Sequence, residues 1–187
     1  MRQQLTWKQY RAIDLFLLGL ALAIFEFIIV RAATWWFPGQ PYTVSLAAAI
    51  ASIVYMRWGA WGVIHAVEAG LVFCFFSGGT GRQFLIYCIG NAFSVLSVFF
   101  LKAFGKERIR TGQLALVFPL LVQLLMQAGR AVTALALGAG LADLAGFFTT
   151  DSLSLIFTLV IIWIARRLDG IYEDQKHYLL RLHAEEE

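Results

Sequence analysis

The chain has 187 residues, of which 60% are hydrophobic and 14% charged, and its mean hydropathy is +0.72. Soluble domains run about 45–50% apolar and about 25% charged, so this composition belongs in lipid, and the formal charge of +3 reads as a topology signal rather than a nucleic-acid surface. Six apolar helices of roughly 20 residues leave about 67 residues for loops and tails, which excludes a second sizeable soluble domain.

In chain order the apolar runs predict six membrane-spanning helices, at about 12–33, 42–56, 60–77, 83–104, 113–138 and 148–165, in one all-α bundle with a cytoplasmic helical tail over 168–187. The first run follows Arg2, Lys8 and Arg11. It is too long for a signal-peptide core, with Glu26 and Arg31 interrupting its end, so it reads as a retained helix. Pro38-Gly39-Gln40-Pro41 breaks the chain after it, Gly78-Gly79-Thr80-Gly81 after the third, and the charged stretch from Lys106 to Arg110 separates the fourth and fifth. The second run is short enough to be tilted or partly interfacial. In the tail, Leu168, Ile171, Tyr172, Leu179 and Leu182 fall near one helical face, which suits a helix on the headgroups or a docking surface.

Basic residues set the orientation. With the N-terminus inside, the cytoplasmic segments hold Arg2, Lys8, Arg11, Arg57, Lys102, Lys106, Arg108, Arg110, Arg166, Arg167, Lys176 and Arg181, against Arg31, Arg82 and Arg130 elsewhere. That asymmetry calls for both termini inside and an even number of spans, which six satisfies and five does not.

Charges inside a bilayer each cost on the order of 2.5–3.5 kcal/mol on insertion scales, so their depth carries information. Glu26 and Arg31 lie in the outer half of the first span. Arg82, Tyr87, Asn91 and Ser94 open the fourth. Gln123, Gln127, Arg130 and Thr133 share one face of the fifth, and Asp151, Ser154 and Thr158 open the sixth. These spacings predict a polar pocket toward the outer face. The candidate substrate contacts are Trp35, Trp36, Tyr42, Glu68, Arg82, Tyr87, Asn91, Gln127, Arg130, Asp151 and Ser154.

Arg130 leads them, because a guanidinium offers a planar fork to carboxylate, phosphate or amide oxygens. Each has a plainer role as well. The aromatics suit an interfacial belt, the charges suit mutual pairing, and Asn91 and Gln127 suit interhelical hydrogen bonds. Asp151 also fits as the dipole partner of the sixth helix. A dry interior with no opening, in which these groups saturate one another, would overturn the capture reading.

His65 and Glu68 share a face but supply too few ligands for a metal, and Cys74 and Cys88 read as reduced, buried thiols. There is no G-x-x-x-x-G-K-[ST] and no G-x-S-x-G, so neither ATP binding nor serine hydrolysis is built in. Small residues at Gly19 and Ala23, and at Ala47 and Ala51, form small-x-x-x-small surfaces that let helices approach closely, within the bundle or against a separate membrane subunit.

Six short spans, a small-residue seam in the first and a polar layer toward the outer face resemble the substrate-binding S component of energy-coupling factor (ECF) vitamin transporters. Gly19-x-x-x-Ala23 resembles the family's A-x-x-x-A contact with the coupling subunit, with Gly in place of the first Ala. Thr149-Thr150-Asp151 and Arg166-Arg167-Leu168-Asp169-Gly170, followed by Glu173 to Leu180, are similar to a cobalamin-uptake subgroup. The resemblance implies a prokaryotic plasma-membrane protein that is not an enzyme and has no cofactor of its own. It would bind a vitamin outside, cobalamin first, and topple against a module of one transmembrane coupling protein and two ATPases. Folate, pantothenate, pyridoxine or a thiamin precursor are the alternative vitamins. A non-transporting membrane scaffold or a membrane enzyme is the alternative class.

Overall fold

The computed structural model describes residues 6–36, 44–168, 170–173, 178, 180, 181 and 184. The described chain is helical: α1 (Trp7–Trp36), α2 (Ala47–Trp58), α3 (Gly62–Phe76), α4 (Gly81–Ala92), α5 (Ser97–Phe104), α6 (Lys106–Thr111), α7 (Leu114–Ala136), α8 (Leu141–Thr150) and α9 (Ser152–Ala165). Single 3-10 turns, Gly59–Trp61 and Phe93–Leu96, link α2 to α3 and α4 to α5. Five helical segments are long and apolar enough to cross a membrane: Trp7–Trp36, Ala47–Phe76, Gly81–Phe104, Leu114–Ala136 and Asp143–Ala165.

The second of these segments is a hairpin rather than a rod. Asp14 and Glu26 of α1 meet Trp58 and Leu46 at the two ends of α2, so α2 runs against α1. His65 meets Leu15, and Phe76 meets Phe27, so α3 runs with α1. The chain reverses at Gly59, whose φ of 64° lies in the left-handed region that favours glycine. The turn closes tightly, since a Cβ on Gly62 would fall 2.6 Å from the Tyr55 ring. At about 1.5 Å per residue the arms reach about 18 and 22 Å, each short of a bilayer core of about 30 Å.

The remaining passes alternate in direction. The N-terminal turn of α4 is fixed by a capping box, in which Gln83 N–H donates to the Thr80 hydroxyl and Thr80 N–H donates to the Gln83 amide oxygen at 2.7 Å. α4 descends along α3, with Tyr87 against Phe73, and α7 rises along α4 and α5, with Phe118 near Phe100. The polar faces expected on the fourth and fifth spans point into the bundle: Asn91, Ser94, Gln123, Gln127, Arg130 and Thr133 are all buried. The apolar core lies below them, around Leu22, Val54, Met56, Phe118, Val122 and Ile162.

The two ends differ in charge. Around the start of α1, Arg57 pairs with Asp14 at 3.0 Å and Arg11 stacks over Trp61 at 4.6 Å. Arg110 donates to the Met56 carbonyl at the last turn of α2, the favoured place for a cation on a helix. Of the tail face, Tyr172 is buried and donates to the Ile162 carbonyl at 2.9 Å, whereas Leu168 is exposed. Leu179 and Leu182 lie outside the described residues, as do 37–43.

Candidate functional site

The far end of the bundle is organised by a close approach of α4 and α7. A Cβ on Gly129 would sit 2.2 Å from the Gly90 carbonyl oxygen, and one on Gly90 would sit 2.6 Å from the Arg130 backbone. Two glycines thus let the helices meet backbone to backbone, a spacing that membrane helices reach only through small residues. The approach delivers Arg130 against α4. Its Nε donates to the Asn91 amide oxygen at 2.8 Å, its Nη1 meets Asp151 at 2.5 Å, and its guanidinium lies 4.5 Å from the centre of the Tyr87 ring.

Asn91 is used at both ends, because its Nδ2 donates to the Ala66 carbonyl of α3 at 2.8 Å. Asp151 stands between α8 and α9. Its side chain does not cap α9; it pairs with Arg130 instead. Glu26 enters from α1. It is fully buried, and one oxygen accepts from the Leu46 N–H at 2.9 Å. Leu46 has no side chain able to cap α2, so a carboxylate 20 residues earlier satisfies that terminus. Ser154 accepts from the Ser45 N–H at 3.0 Å, tying α9 to the same entry point.

Of the residues expected at a pocket, Tyr87, Asn91, Arg130, Asp151 and Ser154 gather here. Gln127 is buried on the same α7 face. Trp35 and Trp36 stack on each other with centroids 6.2 Å apart and are 78% and 66% exposed at the end of α1. Arg82 lies at the surface and donates to the Leu137 carbonyl at 3.1 Å. Glu68 points elsewhere, into a groove of about 390 Å3 between α1 and α3 that Gly19 and Ala23 also line. Ala47 and Ala51 are buried among the helices of the bundle. Tyr42 lies outside the described residues. His65 bonds to the Leu15 carbonyl at 3.0 Å, and no group of three metal-ligating side chains occurs among the described residues.

The network surrounds a cavity of about 10 Å3 lined by Ser45, Ala47, Ala69, Gly70, Phe73, Tyr87, Asn91, Arg130 and Asp151. That is room for about one water molecule. The polar groups that gather here meet chiefly one another around a space for one water, the arrangement that weighs against a ready-made ligand pocket. Ser45 and Phe73, and the part played by Glu26, are not legible from helical periodicity: Ser45 precedes α2, and Phe73 is one of many apolar residues. Glu26 Oε1 is one of several buried side-chain atoms, with Ser52 Oγ, Ser97 Oγ and Thr158 Oγ1, that make no hydrogen bond among the described residues. Comparisons of the chain with family models, curated proteins and solved structures give no match.

Proposed function

We propose that this chain is the substrate-binding S component of an ECF-type transporter, a six-span membrane protein with both termini in the cytoplasm. It would take up a vitamin from outside and hand it to an ATP-driven coupling module. The observation that carries the reading is the placement of Arg130, Asp151, Asn91 and Glu26. A guanidinium and two carboxyls lie buried at one end of an apolar bundle, opposite the end that holds Arg11, Arg57 and Arg110. Ionisable groups at such depth are costly and mark ligand paths. The short antiparallel arms α2 and α3 support six passes rather than five, since both termini then share the basic side. The groove between α1 and α3 suits a helix of the coupling protein at Ala23, while Gly19 is buried beneath the Glu68 carboxylate.

Because the network is closed, a ligand has to open it rather than enter a ready-made cleft. The resemblance puts cobalamin first. The cavity admits no vitamin as it stands, and a smaller one such as pyridoxine or a thiamin precursor, the second reading, requires less opening than cobalamin. A scaffold or an enzyme would have no use for vitamin binding, which separates the classes.

The purified protein, without ATP, is expected to gain thermal stability from one member of a vitamin panel. Arg130→Ala or Asn91→Ala should weaken that binding by about tenfold or more, the equivalent of one or two hydrogen bonds to a charged group. A bulky residue at Ala23 should abolish uptake in cells and leave binding intact. A panel without any stabilising vitamin refutes the assignment.

A further inference from the structure

We infer that the ligand group received by this layer is a cation, a protonated or quaternary nitrogen, and that Glu26 receives it. The inference rests on the capture reading above and names the chemistry of that same site.

The reasoning is a charge balance. Among the described residues of this end, the buried ionisable groups are Glu26, Asp151 and Arg130, two carboxyls for one guanidinium. Arg130 is committed, through Nη1 to Asp151 and through Nε to Asn91. The two other arginines of this end lie at the surface. Arg31 sits 5.9 Å from the rings of Phe27 and Phe76, and Arg82 bonds a backbone carbonyl. The segment 37–43, Phe-Pro-Gly-Gln-Pro-Tyr-Thr, contains no charged side chain, so the missing countercharge cannot come from it. Among the described residues of the opposite end, the single buried acid, Asp14, has both Arg57 and the Trp58 indole N–H.

Glu26 is different. Oε2 takes the Leu46 N–H at the positive end of α2, which holds negative charge there. The Ser45 side chain also bonds this carboxyl, but Oε1 makes no hydrogen bond among the described residues, an arrangement that is expensive unless some donor completes it. An anionic ligand would have to displace Asp151 from Arg130 and would add a third negative group beside Glu26. A cationic ligand does neither, and it fills the vacant valence of Oε1.

The test uses the full chain in detergent and a panel of defined charge: thiamin and pyridoxamine as cations, pyridoxine and cyanocobalamin as neutral probes, folate and pantothenate as anions. A cationic probe is expected to bind best, and Glu26→Gln, which keeps an acceptor for Leu46, should weaken it about tenfold or more. If an anionic or neutral probe binds best, the charge inference falls while capture stands. If a cation binds and Glu26→Gln leaves its affinity unchanged, Glu26 is not the receptor. If no probe binds, this inference fails together with the capture reading. Should Glu26→Gln not fold, the wild-type ranking of cations over anions decides alone.

Discussion

At the scale of single residues, the Arg130–Asp151 pair governs the upper half of the bundle. Neither partner is exposed to water, so the attraction between them is unscreened and offsets the loss of hydration only while both are present. Asp151→Leu or Arg130→Leu alone should therefore lower stability by about 3–5 kcal/mol, because each leaves an uncompensated buried charge. The double change Arg130→Met with Asp151→Leu should recover most of that loss, read by denaturant titration of the purified protein. A double variant as unstable as either single would mean that Asn91 and Tyr87, rather than charge neutrality, hold this region together. Arg130, Asn91 and Asp151 are legible in the sequence because ionisable and amide groups within apolar runs are rare. Their pairing is not, since Asn91 and Arg130 lie 39 residues apart.

Among the helices, the contact between α4 and α7 has the least slack. Gly129→Ala would drive a methyl group into the Gly90 carbonyl, a backbone atom that cannot rotate away. Overpacking of this kind costs typically about 1–3 kcal/mol, and it should also separate Arg130 from Asn91. Gly146 in α8 is the control, because a Cβ there meets open space. Gly146→Ala should raise stability by up to about 1 kcal/mol through helix propensity alone. Equal thermal unfolding of the two variants would contradict this account of the crossing. The Gly19 and Ala47 seams are visible as small-residue spacing, and so are Gly90-x-x-x-Ser94 and Gly129-x-x-x-Thr133, but spacing does not say which of them pair. A glycine looks the same in sequence whether it faces lipid or a neighbouring backbone. Likewise the turn at Gly59–Trp61 follows from the break between the second and third apolar runs, but the direction of α3 comes only from its contacts with α1.

For the molecule as a whole, the membrane orientation is the proposal most open to direct measurement. With Cys74 and Cys88 replaced by serine, Gly81→Cys should react with an impermeant maleimide in intact cells, and Arg108→Cys only after permeabilisation. Gly81 opens α4, where a Cβ meets open space, and Arg108 lies in α6 at the opposite end. Labelling of both positions from the same side would remove the alternating arrangement, and with it an outward-facing polar layer.

Composition and the order of apolar runs determined that this protein is a bundle of helices long and apolar enough to cross a membrane, because those properties depend only on how much apolar surface each stretch carries. They also marked several of the polar residues that are buried, since helical spacing puts them on shared faces, but not that Arg82 lies at the surface and Glu68 points elsewhere. Only the tertiary structure decided that these groups meet one another around a space the size of a water molecule, leaving one oxygen of Glu26 unmatched. Hydrogen bonding and charge pairing act over about 3 Å, and that distance is fixed by how separate helices cross, not by spacing along any one of them.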